Sequence, residues 1–458
     1  MLWIVLFICY ELFQLLFLPV FIPYTLVKNL NATEPTSVIA EQTGFIPASN
    51  RNKKVIWIHG LSAGEISSLQ ELTQEIRKNL PGTACYITAG TEEGKKIAQQ
   101  QLSPDYVSLL PHDDTLSMAI AFDRINPKAI ILLEHEVKPT LIMLAKLKSI
   151  PVYLLNAQYT SNTIKNLETY NFFYRDLFNN FHTIFVQSDN DKVSFEKTGV
   201  ISSKMHAIGN IKAYNVLPKK EALMPDIGDF IRNHHEQGAT GKKSGRPTIL
   251  LVGSVHKGEV DYYLNLFKML KPTHPDLKLI LAPRYFDWKE ELGQKLKNTG
   301  YVVTIFDNAQ ACPTEPKKLL EFVTTELLPN NDIIAICLLG KLFAMYPLAD
   351  LFFLGGTFLP AVGGHNLLEP AVWSNPTILG PCYQNTKDIA DELKKHNAVI
   401  QVQNEQELIE QAKFLLDNTP ERIAMGLRAS TWLEDEAARV KTNVQLLLSD
   451  LKQRILIC

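Results

Sequence analysis

The 458-residue chain carries only six cysteines, at positions 9, 85, 312, 337, 382 and 458, and no two stand in CxxC spacing. That scatter argues against a cysteine-built zinc site and a disulfide framework, and it fits a reducing compartment. Charge of one sign is missing too: 46 Lys and Arg against 48 Asp and Glu leave a formal −2. No global charge therefore draws the chain to nucleic acid. No GxGxxG follows the first candidate strand, which argues against a dinucleotide-dependent dehydrogenase. The N-terminus has neither the basic region nor the small-residue cleavage site of a secretory signal peptide. No internal repeat is visible.

What is present is an ordinary globular balance, 46% hydrophobic and 21% charged, with enough chain for two domains. MLWIVLFICYELFQLLFLPVFIPYTLV (1–27) is almost wholly apolar and long enough to span a bilayer or embed in one. Glu11 would be costly at a bilayer centre, so a shallow interfacial anchor stands beside a true span. Lys28, Arg51, Lys53 and Lys54 follow the run and favour a cytoplasmic body. The expectation is a membrane anchor over 1–28 and a linker over 29–50.

Beyond the linker, short apolar runs alternate with amphipathic segments. KVIWIHG (54–60), ACYITAG (84–90), AIILLEH (129–135), PVYLLNA (151–157) and TIFVQS (183–188) read as strands. The pattern pauses at 214–246, where Pro218, Pro225, Gly238, Gly241 and Gly245 suggest a soft joint. It restarts with TILLVGS (248–254), LKLILAP (277–283), YVVTIF (301–306), DIIAICL (332–338), LFFLGG (351–356), PTILGP (376–381) and AVIQVQ (398–403). Near-continuous apolar strands alternating with helices predict α/β units with parallel sheets covered on both faces. We expect one unit over 51–215, a second over 216–419, and a helical tail over 420–458 that packs back on both. Ligands of such sheets bind beyond the carboxyl ends of the strands.

Those loops hold the chemistry. In HGLSAGE (59–65), Ser62-x-x-Glu65 has capping-box spacing, yet a glutamate beside a glycine-opened turn can also serve as a general base. LLEHEVKP (132–139) sets Glu134 and Glu136 close together, with Lys138 able to neutralise one of them. GNIK (209–212) offers a loop lysine, Lys212. VGSVHKGE (252–259) and LAPRYF (281–286) open the second unit, and Arg284 there suits either a phosphate or a salt bridge. In LFFLGGTFLPAVGGHNLLEP (351–370), Gly363 and Gly364 let backbone approach a ligand, and a helix start favours an anion. Asn366-x-x-Glu369 again has near-capping spacing, while Glu369 could accept from both hydroxyls of a ribose. A phosphate-binding helix start and a ribose-binding acid in the second of two α/β units suggest a nucleotide-sugar transferase.

Taken together, IWIHGLSAGE, LLEHEVKPTL, NAQYTS, FVQSDND, GNIK, VGSVHKGE, APR and LGGTFLPAVGGHNLLEP resemble, in order and spacing, the 3-deoxy-D-manno-octulosonic acid (Kdo) transferases. The resemblance implies a GT-B glycosyltransferase: two Rossmann-like domains facing across a cleft, behind an N-terminal anchor on the cytoplasmic side of the bacterial inner membrane. It implies inverting transfer of Kdo from CMP-Kdo to lipid IVA, contact with inner-membrane lipids, no cofactor, no catalytic metal and no nucleic-acid partner. By the same resemblance Glu65 is the general base, and Glu136 and Lys212 stabilise the transition state. Pro283, Arg284, Leu339, Gly340, Lys341, Asn366, Leu367, Leu368 and Glu369 would bind CMP. Three places depart from the family's usual pattern. Here the chain reads Glu134-His135-Glu136-Val137-Lys138-Pro139-Thr140 for Glu-Thr-Glu-Leu-Trp-Pro-Asn, Gln158 for an arginine, and Lys341 for a glutamate.

Overall fold

The computed structural model describes residues 10, 12 and 16, 35–134, 136–158, 169–239 and 246–457. The expected anchor over 1–28 falls almost entirely outside the described residues, as does His135. No described helix is long and apolar enough to cross a membrane. Part of the expected linker is ordered: Pro35–Gln42 forms helix α1. Glu41 ties it down, accepting the Leu109 N–H at 2.7 Å and Lys95 Nζ at 2.5 Å. A polar, proline-bearing stretch thus docks through one buried carboxylate, which composition does not reveal.

Two compact units follow, Met1–Asn215 with Glu436–Cys458, and Val216–Asp435. The first holds β1 (Lys54–Gly60), β2 (Thr83–Ala89), β3 (Tyr106–Leu109), β4 (Pro127–Leu133), β5 (Val152–Ala157), β6 (Thr183–Val186) and β7 (Met205–Ala207). They form one parallel sheet in the order β3-β2-β1-β4-β5-β6-β7. Strands β1 and β4 are buried along nearly their whole length, which explains their unbroken apolar runs. The two strands that the apolar pattern does not predict, β3 and β7, are the sheet's edges, short and only partly buried. Three helices matter for function: α2 (Ala63–Ser67), α3 (Pro139–Leu147) and α4 (Ile211–Tyr214).

The second unit opens with α5 (Val216–Ala239). The expected soft joint is therefore largely helical, with Pro225 inside it. Pro218 falls in the first turn, where its missing N–H has no helical partner to lose. The sheet comprises β8 (Thr248–Val255), β9 (Leu277–Pro283), β10 (Val303–Phe306), β11 (Ile333–Ile336), β12 (Leu351–Leu354), β13 (Thr377–Leu379) and β14 (Val399–Gln401). Its order is β10-β11-β9-β8-β12-β13-β14, again all parallel. Helices α6 (Val260–Leu270) and α7 (Leu368–Val372) follow β8 and β12, and α8 (Thr419–Ile457) ends the chain. Met425 of α8 joins the core of the second unit, whereas Val440, Val444, Leu447 and Leu451 join a core of the first.

Candidate functional sites of the two units

In the first sheet the order reverses between β1 and β4, so the loops leaving Gly60 and Leu133 open side by side. Such a reversal is where open α/β sheets hold ligands. Glu65 lies in the first turn of α2, where Ser62 Oγ caps its N–H at 3.2 Å. The carboxylate does not complete a capping box with Ser62 but turns back to accept the Leu61 N–H at 2.7 Å. Glu65 is buried. Burial, reinforced by the charges of Glu134 and Glu136 and opposed by the Leu61 N–H and Lys212, lifts its pKa from 4.5 to about 7. A carboxyl poised there can take a proton near neutral pH.

Glu136, also buried, is driven the other way. Burial opposes its ionisation, but the His59 ring and the Lys138 ammonium prevail and hold the carboxyl near about 2. Lys138 Nζ is 2.8 Å from Glu136 Oε2, whereas His59 Nε2 stands at 3.6 Å. The second distance exceeds that of a direct hydrogen bond, so Lys138 is the stronger partner. Two glutamates in one pocket are thus set apart in protonation by their surroundings.

Glu134 completes the cluster. Its backbone is left-handed, with φ of 55°, which an L-residue adopts only where its surroundings fix it. Its N–H donates to Leu155 O at 2.8 Å, and its Oε1 meets Lys212 Nζ at 2.9 Å. Buried Asn156, also left-handed at 63°, donates to Glu134 Oε1 at 3.4 Å and accepts the Ile211 N–H at 3.0 Å. It thereby ties the end of β5 to α4, which carries Lys212. Gly209 has φ of 89°, and a Cβ there would meet Glu436 Oε1, which accepts the Asn210 N–H at 2.7 Å. The turn before Lys212 is therefore pinned from α8. Glu65, Glu136 and Lys212 share one cluster, with Glu134 as a fourth charged member.

In the second sheet the order reverses between β8 and β12. Pro283 and Arg284 at the end of β9, and Leu339 and Gly340 after β11, line a cavity of about 90 Å³ with Ser254 and Met345. Lys341 turns away from that lining and donates to Pro313 O at 3.0 Å. Glu369 meets the Tyr346 hydroxyl, which donates to its Oε2 at 3.4 Å. Burial pushes the Glu369 pKa up, while Lys219, Tyr346, Asn366 and Arg284 draw it down. Leu367 and Leu368 are buried as core residues. The expected anion site at the helix start takes a different form. Helix α7 has only five residues, too short for a strong dipole, and Asn366 Oδ1 accepts the Leu368 N–H at 2.9 Å. Positive charge at this end comes instead from side chains such as Arg284.

Neither the capping signals nor the strand pattern marked three further residues. Glu259 is fully buried and accepts N–H groups from His256 at 3.0 Å, Gly356 at 2.5 Å and Phe358 at 3.4 Å. It fastens the loop after β8 to the loop after β12. Across that junction His256 Nε2 and His365 Nε2 are 2.7 Å apart.

The family model for 3-deoxy-D-manno-octulosonic-acid transferases (kdotransferase) matches residues 37–215, which contain all three expected catalytic positions. The Kdo transferase of Aquifex aeolicus is 28% identical over 364 residues, covering 80% of this chain and 86% of that one. That of Chlamydophila psittaci is 27% identical over 431 residues, covering 93% and 92%. The chain is similar to the Kdo transferases, in its first unit by the family model and along most of its length by these relatives. It is a glycosyltransferase, and the family likeness extends through both units, since these relatives are matched along most of their length. Among solved structures, UDP-GlcNAc 2-epimerase from Neisseria meningitidis bound to UDP-GlcNAc superposes with a TM-score of 0.56 at 13% identity, over 86% of this chain and 99% of that one. At that identity it shows the fold alone: two doubly wound parallel units, as in GT-B proteins. Within this chain, Glu134, Asn156, Glu259 and the histidine pair are the site residues whose partnerships emerge only from the folded geometry.

Proposed function

We propose that this chain moves Kdo from CMP-Kdo to lipid IVA, the lipid A precursor, with inversion at the transferred carbon. Glu65 carries the reading: a buried carboxyl at a sheet's switch point, lifted to about 7 among charged neighbours, has the character a general base needs. In the proposed reaction it takes the proton of a sugar hydroxyl on the acceptor. Ionised Glu136 and the Lys212–Glu134 pair fix the charges around it, and Lys212 meets negative charge that builds up in the transition state. At the donor end, Pro283, Leu339 and Gly340 shape the cavity for CMP, Glu369 receives ribose hydroxyls, and Arg284 offers its guanidinium to the phosphate. Cleavage sends the bonding electron pair to a phosphate oxygen, so a fixed cation there lowers the barrier.

The acceptor is a lipid, which motivates the remaining part of the proposal. The apolar residues 1–28 hold the enzyme at the cytoplasmic face of the inner membrane, where such a substrate resides. The test is direct. Detergent-solubilised protein is incubated with lipid IVA and with CMP-Kdo generated in situ, and lipid masses are read. A gain of one or more Kdo units is expected. No gain, with a known Kdo transferase working in parallel, overturns the donor–acceptor assignment.

A further inference from the structure

The His256–His365 pair has no role in the chemistry described so far. The rings are parallel to within 5°, with centroids 5.1 Å apart and Nε2 atoms 2.7 Å apart. Parallel planes with centroids separated by nearly twice the N–N contact describe rings meeting edge to edge. That aligns an Nε2–H with the facing lone pair. One histidine must therefore carry its proton on Nε2 while the other presents a bare Nε2. Neither Nδ1 has a hydrogen-bonding partner among the described residues.

This arrangement has a consequence for proton count. In the neutral pair the Nε2 donor has a bare Nδ1, so only one of the two Nδ1 atoms carries hydrogen. One added proton converts the donor ring to imidazolium and gives both Nδ1 atoms an N–H, with the central bond intact. In the free protein that proton is disfavoured. Burial, then the neighbouring ring and Arg284, lower the His365 pKa to about 4, and burial and Arg284 lower that of His256.

We propose that His256 and His365 form an anion subsite for the acidic end of the donor, and that the pair takes up a proton from solvent as the anion binds. The assignment rests on the donor reading given above. The setting supports it: the pair bridges the loops after β8 and β12 at the sheet's switch point, where ligands of such sheets bind. Arg284, whose charge lowers both rings, supplies a fixed cation beside it, and Tyr285 packs edge-on to His256 at 5.6 Å. Among the other charged neighbours, Asp287, Glu290 and Glu291 line a pocket with His256, and the remaining ones are committed. Lys257 pairs with Glu291 at 2.6 Å, Glu259 is held by three backbone N–H groups, and Glu369 meets Tyr346. An arriving anion neutralises the field that keeps the pair unprotonated, and charge-assisted N–H donors then hold it.

The anionic oxygens could be those of the nucleotide phosphate or of the sugar carboxylate. Titration calorimetry with cytidine, CMP and CMP-Kdo separates the sources, using wild-type protein, His256→Gln and His365→Gln at neutral pH in two buffers of different ionisation enthalpy. Wild type should take up a fraction of a proton with CMP and none with cytidine. Each variant should lose about tenfold or more in CMP affinity, lose the proton uptake, and bind cytidine as before. Loss confined to CMP-Kdo assigns the carboxylate instead. Unchanged affinity for both anions overturns the subsite, and so does an equal loss for cytidine, which would make the pair purely structural. Wild type that binds none of the three ligands overturns the donor reading itself.

Discussion

Glu65 Oε2 accepts the backbone N–H of Leu61 at 2.7 Å while Ser62 Oγ accepts the N–H of Glu65, so one short turn both caps a helix and aims a carboxylate. The cap resides in the serine and the catalytic potential in the carboxyl. Glu65→Gln keeps a carbonyl oxygen for the Leu61 N–H and removes the base. Kdo transfer should fall by about 10²–10⁴-fold, the usual contribution of general-base catalysis, with CMP affinity unchanged. Transfer assays alongside calorimetry check both halves. Near-normal turnover would reduce Glu65 to a structural residue.

The pH dependence follows from the same group. A base works only when deprotonated, and burial with Glu134 and Glu136 puts that step at about 7. We expect kcat/KM to climb with pH through about 7 and then level off. Glu134→Gln removes one of the charges that raise Glu65 and releases Lys212, which lowers it. Both changes move the acidic limb to lower pH. A profile with no acidic limb in wild type, or one unmoved by Glu134→Gln, contradicts this assignment.

A site tuned for chemistry is strained for stability. The folded-state pKa of Glu65 lies above its unfolded value, so folding favours the protonated form. The resulting stability is complete below the unfolded pKa of 4.5 and is lost as pH rises through about 7. A rise of that size corresponds to about 3 kcal/mol. Glu65→Gln should therefore melt several degrees above wild type near pH 8 and nearly level with it near pH 4.5. Thermal scans at the two pH values decide it, and a variant less stable at the higher value counts against the shift.

Much of this architecture is legible in the chain because central parallel strands must be apolar throughout. KVIWIHG and LKLILAP match β1 and β9 residue for residue. The pattern fails at sheet edges, where β3 and β7 bury too little to need a continuous apolar run. It also fails at 216–239, where proline and glycine signal a break but the chain is helical, with Pro218 in the first turn and Pro225 inside the helix. Site residues divide along the same line. Glu65 and Glu369 stand within short, recognisable turns, whereas the partnerships Glu134–Lys212, Asn156–Ile211 and His256–His365 join positions 55 to 109 residues apart. Glu134 and Lys212 are 78 positions apart by their own numbering. Spacing along a chain cannot encode which loops a sheet's strand order will bring together.

Glu369 gives a prediction for the donor end. Its carboxyl is buried against Tyr346, and burial raises its pKa. If it receives ribose hydroxyls, Glu369→Ala should weaken cytidine and CMP alike by about tenfold or more, since the nucleoside itself loses its partner. Replacement of the 2′-hydroxyl by hydrogen should weaken wild type but not the variant. Equal sensitivity in both proteins would place the ribose elsewhere.

Glu259 holds the two donor-end loops together, and its removal tests that architecture. Three backbone N–H groups, those of His256, Gly356 and Phe358, point at one fully buried carboxylate. Glu259→Ala strands all three in a site closed to water, at a cost of about 1–3 kcal/mol for each donor left without a partner. The second unit should then melt well below its wild-type temperature, and the resolvable early transition should belong to that unit, since Glu259 touches only residues within it. The conservative Glu259→Gln retains one acceptor oxygen but turns an amide donor towards N–H groups, so it should fall between the two. Because the same carboxylate sets the loop of His256 against that of His365, the glutamine variant should also bind CMP less tightly than wild type. A glutamine variant with wild-type melting and wild-type CMP affinity would show that the loops hold their positions without Glu259.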